Sequence, residues 1–204
     1  MKKYTVTIIG GGVAGLSCAL TLASSKGFPK LPQDFSFLVI DDGKSDLKKA
    51  RLYNVPLAEN GIDGEELLNK LHSQIKKFRN TSFVEDTVKS ISGTKGEFNI
   101  TTSGEKQILS DYVVLATGMH KFEIAGDDFI IEDHDNVPKP GKIKLKAGVN
   151  NKIKAGVYAA GLAAGVPTMF ACAAGSGVET ACGVLSDIQE NKTVIHDTAK
   201  SRLN

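Results

Sequence analysis

Hydrophobic residues fall into short runs divided by glycines and polar stretches. Residues 4–9, Tyr-Thr-Val-Thr-Ile-Ile, are β-branched and aromatic and predict a short buried strand. Glycines break that run from Gly10 to Gly15, and small apolar residues from Val13 to about Ser25 predict a tightly packed helix. Two prolines within 27–34 predict a loop. Phe35 to Ile40 predicts a second buried strand, ending at Asp41-Asp42-Gly43. The pattern is irregular from Lys44 to Asn60. Asp63-Gly-Glu-Glu66 then has the form of a capping box. The helix it opens places Leu67, Leu68, Leu71, Ile75 and Phe78 along one face.

Residues 81–112 predict several short strands, with turns at Gly93–Gly96 and Ser103–Glu105. Tyr112 to Ala116 predicts another buried strand, stopped by Thr117-Gly118. Residues 119–155 are rich in charge, Pro and Gly, and only Phe129–Ile131 and Ile143–Leu145 look strand-like. Val157 to Ala160 predicts a last buried strand, and about Thr168–Glu190 a closing helix, with a polar, frayed tail from Asn191. A strand–helix–strand opening implies a parallel sheet with right-handed crossovers. The expected fold is therefore α/β: one Rossmann-type domain over residues 1–204, with helices on both faces of the sheet and a small antiparallel β-meander on one side.

Composition narrows the function. A chain of 204 residues suits one domain, and 41% hydrophobic with 24% charged residues fits a soluble globular protein rather than a disordered one. A net charge of +2, with no basic stripe interleaved with aromatics, argues against nucleic acid. The first apolar run is too short for a membrane span, and no cleavage-like site follows it. Cys18, Cys172 and Cys182 contain no Cys-x-x-Cys spacing, and their odd number without a signal sequence predicts reduced thiols in the cytoplasm.

The sharpest chemical signal is Gly10-Gly-Gly12-Val13-Ala14-Gly15, a G-x-G-x-x-G between a predicted strand and a predicted helix. Gly10 permits the tight turn, Gly12 lets backbone approach a pyrophosphate, and Gly15 lets helix and strand pack closely. The helix N-terminus at Val13 and Ala14 offers N–H groups and partial positive charge to phosphates. An acid at the end of the next strand should bind ribose hydroxyls. Asp41 is placed to do so, with Asp42 beside it, 26 residues past Gly15 because the proline loop lengthens the connection. The fingerprint alone allows NAD as readily as FAD.

Four segments together resemble the thioredoxin reductases, flavoproteins of the two-dinucleotide-binding-domain superfamily. They are Ile8 to Gly15; Asn54-Val-Pro56 with Gly61 to Leu68; Val113 to Gly118, containing Ala116-Thr117-Gly118; and Gly156 to Gly161 with the helix bearing Gly175-Ser-Gly177. The likeness covers about residues 4–118 and 156–190. It implies FAD as the cofactor, with Asn54 and Pro56 beside the flavin, the Val88 backbone near adenine, and Thr117 and Gly118 along the channel. Gly161 and its successor would face the ribityl and pyrophosphate.

The departures are as informative. The family's acid after the Gly161 position is Leu162 here, and its Gln at the start of the closing helix is Met169, so two polar contacts worth about 1 kcal/mol each are absent. Where the family inserts an NADPH domain, this chain has only residues 119–155, too few for a second Rossmann domain. The redox Cys-x-x-Cys is absent too, so the chain is not expected to be a thioredoxin reductase.

Other residues offer candidate chemistry. Cys172 stands near the implied flavin end and would be a thiol candidate; packing is the commoner role of such a cysteine. A straight helix would hold Cys172 and Cys182 about 15 Å apart, too far for a disulfide. His120 follows the Ala-Thr-Gly segment and is a candidate acid or base at the flavin edge. Asp127, Asp128, Glu132, Asp133, His134 and Asp135 lack metal-ligand spacing and read as an acidic solvated loop, with no metal expected. Lys142 to Lys154 and His72 read as exposed surface.

Three functions stay open. The first is an FAD-dependent oxidoreductase, fed by a transient NAD(P)H or a partner reductase and serving an unknown acceptor. The second is a non-catalytic FAD-binding module or subunit. The third is an NAD(P)-binding Rossmann protein. An uncovered apolar flavin edge would favour a homodimer.

Overall fold

The computed structural model describes residues 2–25, 31, 34–126 and 129–192. β1 (Lys3–Ile9) leads into α1 (Val13–Ser24) and β2 (Phe37–Asp41). A 3-10 turn at Asp46–Lys49 and a ribbon of β3 (Arg51–Leu52) and β4 (Ile62–Asp63) precede α2 (Gly64–Ile75). Next come β5 (Thr81–Glu85), β6 (Val88–Ser92), β7 (Phe98–Thr102) and β8 (Gln107–Leu115). The stretch after β8 holds β9 (Ala125–Gly126), β10 (Ile131–Asp133), β11 (Ile143–Leu145) and β12 (Lys152–Lys154). β13 (Val157–Ala159), a 3-10 turn at Gly161–Ala164 and α3 (Phe170–Gln189) complete the described chain.

The parallel strands lie in the order β5-β2-β1-β8-β13. β8 joins two layers. Its first half pairs antiparallel with β7, as Ile100 faces Ile108, and its second half pairs parallel with β13, as Val157 faces Val113. β1 runs along both halves on the other side. β6 extends the meander, with β9 at its edge.

The strand period of two sorts side chains into two cores. Phe37, Val39, Tyr112 and Val114 join Leu16, Leu22, Leu68, Ile75 and Val184 of the helices. Leu38, Ile40, Val113 and Leu115 point the other way, onto Ile91, Phe98, Ile100 and Leu145. The three α-helices among the described residues thus lie on one face, where α1 packs against α2 and α3. Helices on both faces were expected. The meander and the β10–β11 hairpin occupy the second face instead and exclude water from it.

Three local expectations change. β5, expected in the meander, is the edge strand of the parallel sheet, paired with β2. Asp63 is the residue before α2, but its side chain caps no helix amide. The β3–β4 ribbon sets Arg51 opposite Asp63, and the Arg51 Nε donates to the carboxylate at 3.1 Å. His134, expected in a solvated acidic loop, is buried at 5% exposure within the β10–β11 hairpin, directly after β10. Asp127, Asp128, most of the proline loop and the tail beyond Lys192 lie outside the described residues.

Candidate functional site

The chain leaves β1 toward β2 on one side and returns to β8 on the other, so the strand order reverses at the carboxyl end of β1. Ligands of open α/β sheets bind at such switch points. A cleft of about 620 Å³ opens there.

The glycine loop forms its floor, and three glycines have three distinct reasons. Gly10 takes φ +109°, and a Cβ there would lie 2.2 Å from the Ala116 carbonyl oxygen. A Cβ on Gly15 would lie 1.9 Å from the Gly10 carbonyl oxygen, so this glycine serves packing and does not line the cleft. A Cβ on Gly12 would meet nothing closer than Ser45 Oγ at 3.5 Å. Space stands open above Gly12 beside an uncapped helix N-terminus with no acid in its first turn. The first helical bond formed there is Leu16 N–H to the Gly12 carbonyl. The N–H groups of Val13 and Ala14 precede it and have no intrahelical acceptor.

Asp41 holds the loop in place. Its Oδ1 accepts the Gly11 N–H at 2.8 Å. A Cβ on Gly11 would sit 2.6 Å from the Asp41 Cγ, so this glycine also matters. The fingerprint leaves that position free, and the third consecutive glycine was the only hint of it. Asp42 lines the same wall.

Val88 lines the far end, with Asp86, Phe122 and Ile124 nearby. Asp86 is committed to structure. The Thr102 hydroxyl at 2.8 Å does most to hold its carboxyl below the ordinary range; burial opposes this, and the Thr87 and Gly104 amides assist. Ala116, Thr117 and Gly118 form the middle wall. Thr117 Oγ1 is buried there without a hydrogen-bond partner. A buried hydroxyl of this kind calls for an acceptor, and a polar ligand chain along that wall would supply one.

Leu162 and Met169 line the opposite end, among Leu47, Leu52, Phe170 and Ala173. Asn54 and Pro56 do not reach the wall. The Asn54 amide approaches Met169 Sδ at 3.9 Å, at the rim. Tyr53, Leu57 and Met169 are exposed. Gly161 also lies off the wall, buried where a Cβ would meet Ala14 Cβ at 2.5 Å, and its N–H donates to Ser176 Oγ at 2.9 Å.

His120 bridges two walls. Its Nε2 lies 2.7 Å from Asp46 Oδ2, and Lys142 Nζ lies 2.9 Å from its Nδ1. Asp46 had no signal in the irregular stretch after β2. Cys172 sits half-buried in the first turn of α3 and does not line the cleft, unlike its neighbours Phe170 and Ala173. Cys18 is buried, and burial, with Cys182 nearby, pushes its thiol far up. Among the described residues no cluster of three or more His, Cys, Asp and Glu is placed for a metal, and no helix is long and apolar enough to cross a membrane.

The family model described as pyridine nucleotide-disulphide oxidoreductase matches residues 4–198. A thioredoxin reductase of Neurospora crassa is 31% identical over 115 residues, covering 55% of this chain and 34% of that protein. A ferredoxin–NADP reductase of Lactiplantibacillus plantarum is 27% identical over 121 residues, covering 59% of this chain and 36% of that protein. The matches thus span about a third of those relatives' length. Among solved structures, a thioredoxin reductase from Gloeobacter violaceus superposes with a TM-score of 0.76 at 15% identity, covering 98% of this chain and 100% of that one. A ferredoxin-flavin thioredoxin reductase from Clostridium acetobutylicum gives 0.69 at 15% identity, covering 93% and 99%. At such identities the superpositions speak to fold alone.

Proposed function

The chain belongs to the pyridine nucleotide-disulphide oxidoreductase family, and on that premise we propose that the cleft holds FAD and that the protein is an FAD-dependent oxidoreductase. The observation that carries this reading is the open space over Gly12. No protein atom explains that glycine, and an anion at a helix N-terminus does. The pyrophosphate would rest on the N–H groups of Val13 and Ala14. The free Oδ2 of Asp41 would take a ribose hydroxyl, and the Val88 end would take adenine. Thr117 would give its orphaned hydroxyl to the ribityl chain, with Gly118 beside it. Leu162 would lie along the ribityl, and Met169 and Phe170 would cover the isoalloxazine, with Asn54 and Pro56 at the rim.

When bound, FAD supplies two-electron transfer. The chain's own residues bind it, orient it and exclude water. Asp46 accepts a hydrogen bond from the His120 Nε2–H and fixes the ring at the cleft wall, where it is the one imidazole among the lining residues. With no Cys-x-x-Cys in the sequence, electrons pass to an acceptor outside this chain, so the activity is not that of a thioredoxin reductase acting alone. The name of the ferredoxin–NADP reductase relative supports NADP(H) as an electron partner; NAD(P)H would bind transiently as donor or act through a partner reductase. Leu162 and Met169 favour a second reading, a flavin-binding subunit of lower affinity.

The test is a visible absorption spectrum of the purified protein, before and after anaerobic NADPH or NADH. A flavin spectrum that bleaches establishes the oxidoreductase. A flavin that stays oxidised moves the chemistry to a partner. No flavin, and none taken up from added FAD, ends the proposal. Leu162→Asp should tighten FAD about fivefold, equal to one hydrogen bond of about 1 kcal/mol. Unchanged affinity would remove Leu162 from the ribityl.

A further inference from the structure

The β10–β11 hairpin packs against the turn that carries Leu162. A Cβ on Gly165 would lie 3.0 Å from Lys144 Cδ of the hairpin. Asn136, in the hairpin loop, donates from Nδ2 to the Gly165 carbonyl at 2.7 Å. Its own backbone N–H donates to His134 Nδ1 at 3.2 Å. His134 is 5% exposed and is fixed across the hairpin by its N–H bond to the Lys142 carbonyl at 2.9 Å. Gly165 takes φ +86° and closes the turn by donating its N–H to the Leu162 carbonyl at 3.0 Å.

A continuous chain therefore runs from a buried ring to the cleft wall. His134 orients Asn136, Asn136 holds Gly165, and Gly165 sets Leu162. The front of the turn is anchored by buried Ala163 and by the Gly161 N–H bond to Ser176 Oγ, and its other end closes at Gly165. Gly165, just past the last residue of the 3-10 turn, is a left-handed glycine, which has the widest conformational freedom of any residue. A hydrogen bond to its carbonyl removes the peptide rotation that would carry Leu162 off the wall. Gly161, at the start of the same turn, lies under Ala14 of the glycine loop, so the turn also abuts the floor of the cleft.

We propose that Asn136, oriented by buried His134, is a positioning residue that clamps the Gly161–Val166 turn against the bound cofactor. The short segment after β8 would thereby support the flavin-proximal turn. This rests on the FAD reading of the cleft.

Two variants remove the donor, Asn136→Ala and the near-isosteric Asn136→Asp. Lys139→Ala, on the same exposed loop, is the control. The first readout is hydrogen exchange of the Leu162–Val166 amides in protein stripped of FAD. Exchange at least about fivefold faster in both Asn136 variants, and unchanged in the control, is expected from the loss of one hydrogen bond. Unchanged exchange overturns the clamp whether or not FAD binds. The second readout is the FAD dissociation constant, expected to rise roughly fivefold in both variants, with the melting temperature without FAD falling by no more than the roughly 2–4 °C that one hydrogen bond accounts for. Faster exchange with unaltered FAD affinity overturns the positioning role. Wild-type protein that takes up no FAD overturns the cofactor reading, and the positioning role with it; exchange then separates that failure from a failure of the clamp.

Discussion

Replacing Gly12 with alanine separates a glycine kept for a ligand from a glycine kept for the fold. Gly12 has φ −75° and ψ −175°, an extended conformation open to alanine. The new methyl would meet only Ser45 Oγ, at the ordinary contact distance of 3.5 Å. Without a ligand the expected loss is that of a poorer N-cap, about 0.5–1 kcal/mol. For a chain of this size that lowers the melting temperature by roughly 1–4 °C. With a pyrophosphate over Gly12 the same methyl intrudes on phosphate oxygens. Intrusions of this kind typically cost about 1–3 kcal/mol, or roughly 5- to 150-fold in the dissociation constant.

Gly15→Ala is the contrast. Its methyl would lie 1.9 Å from the Gly10 carbonyl oxygen and 3.1 Å from the carbonyl carbon, backbone atoms that have no room to yield. That variant should lose stability with and without FAD, at the upper end of overpacking, about 3 kcal/mol or more. The assay is a flavin fluorescence titration of each variant beside a thermal melt of FAD-free protein. A Gly12→Ala protein that stays folded and binds FAD as tightly as wild type would refute the reasoning, because the phosphates would then lie elsewhere.

Two neighbouring glycines of α3 should respond in opposite directions. A Cβ on Gly175 would meet nothing within 4 Å, so Gly175→Ala should gain about 1 kcal/mol of helix propensity and melt roughly 2–4 °C higher. A Cβ on Gly177 would lie 2.1 Å from the Ala14 carbonyl oxygen, so Gly177→Ala should push α3 off α1 and lose about 1–3 kcal/mol or more; similar melts for the two would contradict the packing described. Asp187 offers a pH prediction. Burial opposes its ionisation, but hydrogen bonds from Lys152 at 3.1 Å and Tyr158 at 3.0 Å, with Lys95 behind, outweigh burial and hold its carboxyl below the ordinary range. A depressed native pKa gives stability that is complete above the unfolded value of about 3.9 and is lost as pH falls below it. Asp187→Asn should therefore cost about 1 kcal/mol at pH 7 and lose less melting temperature than wild type between pH 5 and pH 3; an equal loss in both would remove Asp187 as a source of the acid sensitivity.

The strands were legible because burial on a pleat leaves a local mark. The alternation Phe37, Leu38, Val39, Ile40 divides between two cores and is readable without knowing either. What was not legible depended on distant partners. Thr81–Glu85 carries the same kind of pattern whether it joins a hairpin or a parallel edge, and its pairing with β2 is set across 44 residues, from Phe37 to Thr81. Asp63 fits a helix cap locally, but Arg51 from the opposite strand competes for its carboxylate and holds it. The glycine loop could be placed because its glycines have local reasons. The contact of His120 with Asp46 spans 74 positions and has no local pattern at all.

Residues 119–155 were the hardest to read, for a physical reason. A segment that builds its own core must show the period of its own elements. This one instead lays scattered apolar residues onto a face that the sheet already provides. Phe122, Ile124 and Phe129 pack beside Val88, Ile91 and Leu115, and Leu145 is buried among the same group. None of these positions needs a repeat of two or 3.6, because the periodic partner is the sheet. The same economy explains why no α-helix among the described residues covers that face, and why His134 is buried in a stretch whose composition reads as solvated. Charge density records the exposed side of such a segment, while its buried side is defined only by what lies beneath it. The cleft wall it completes, from Met119 to Ile124, is therefore a property of the folded chain and has no signature in the segment's own sequence.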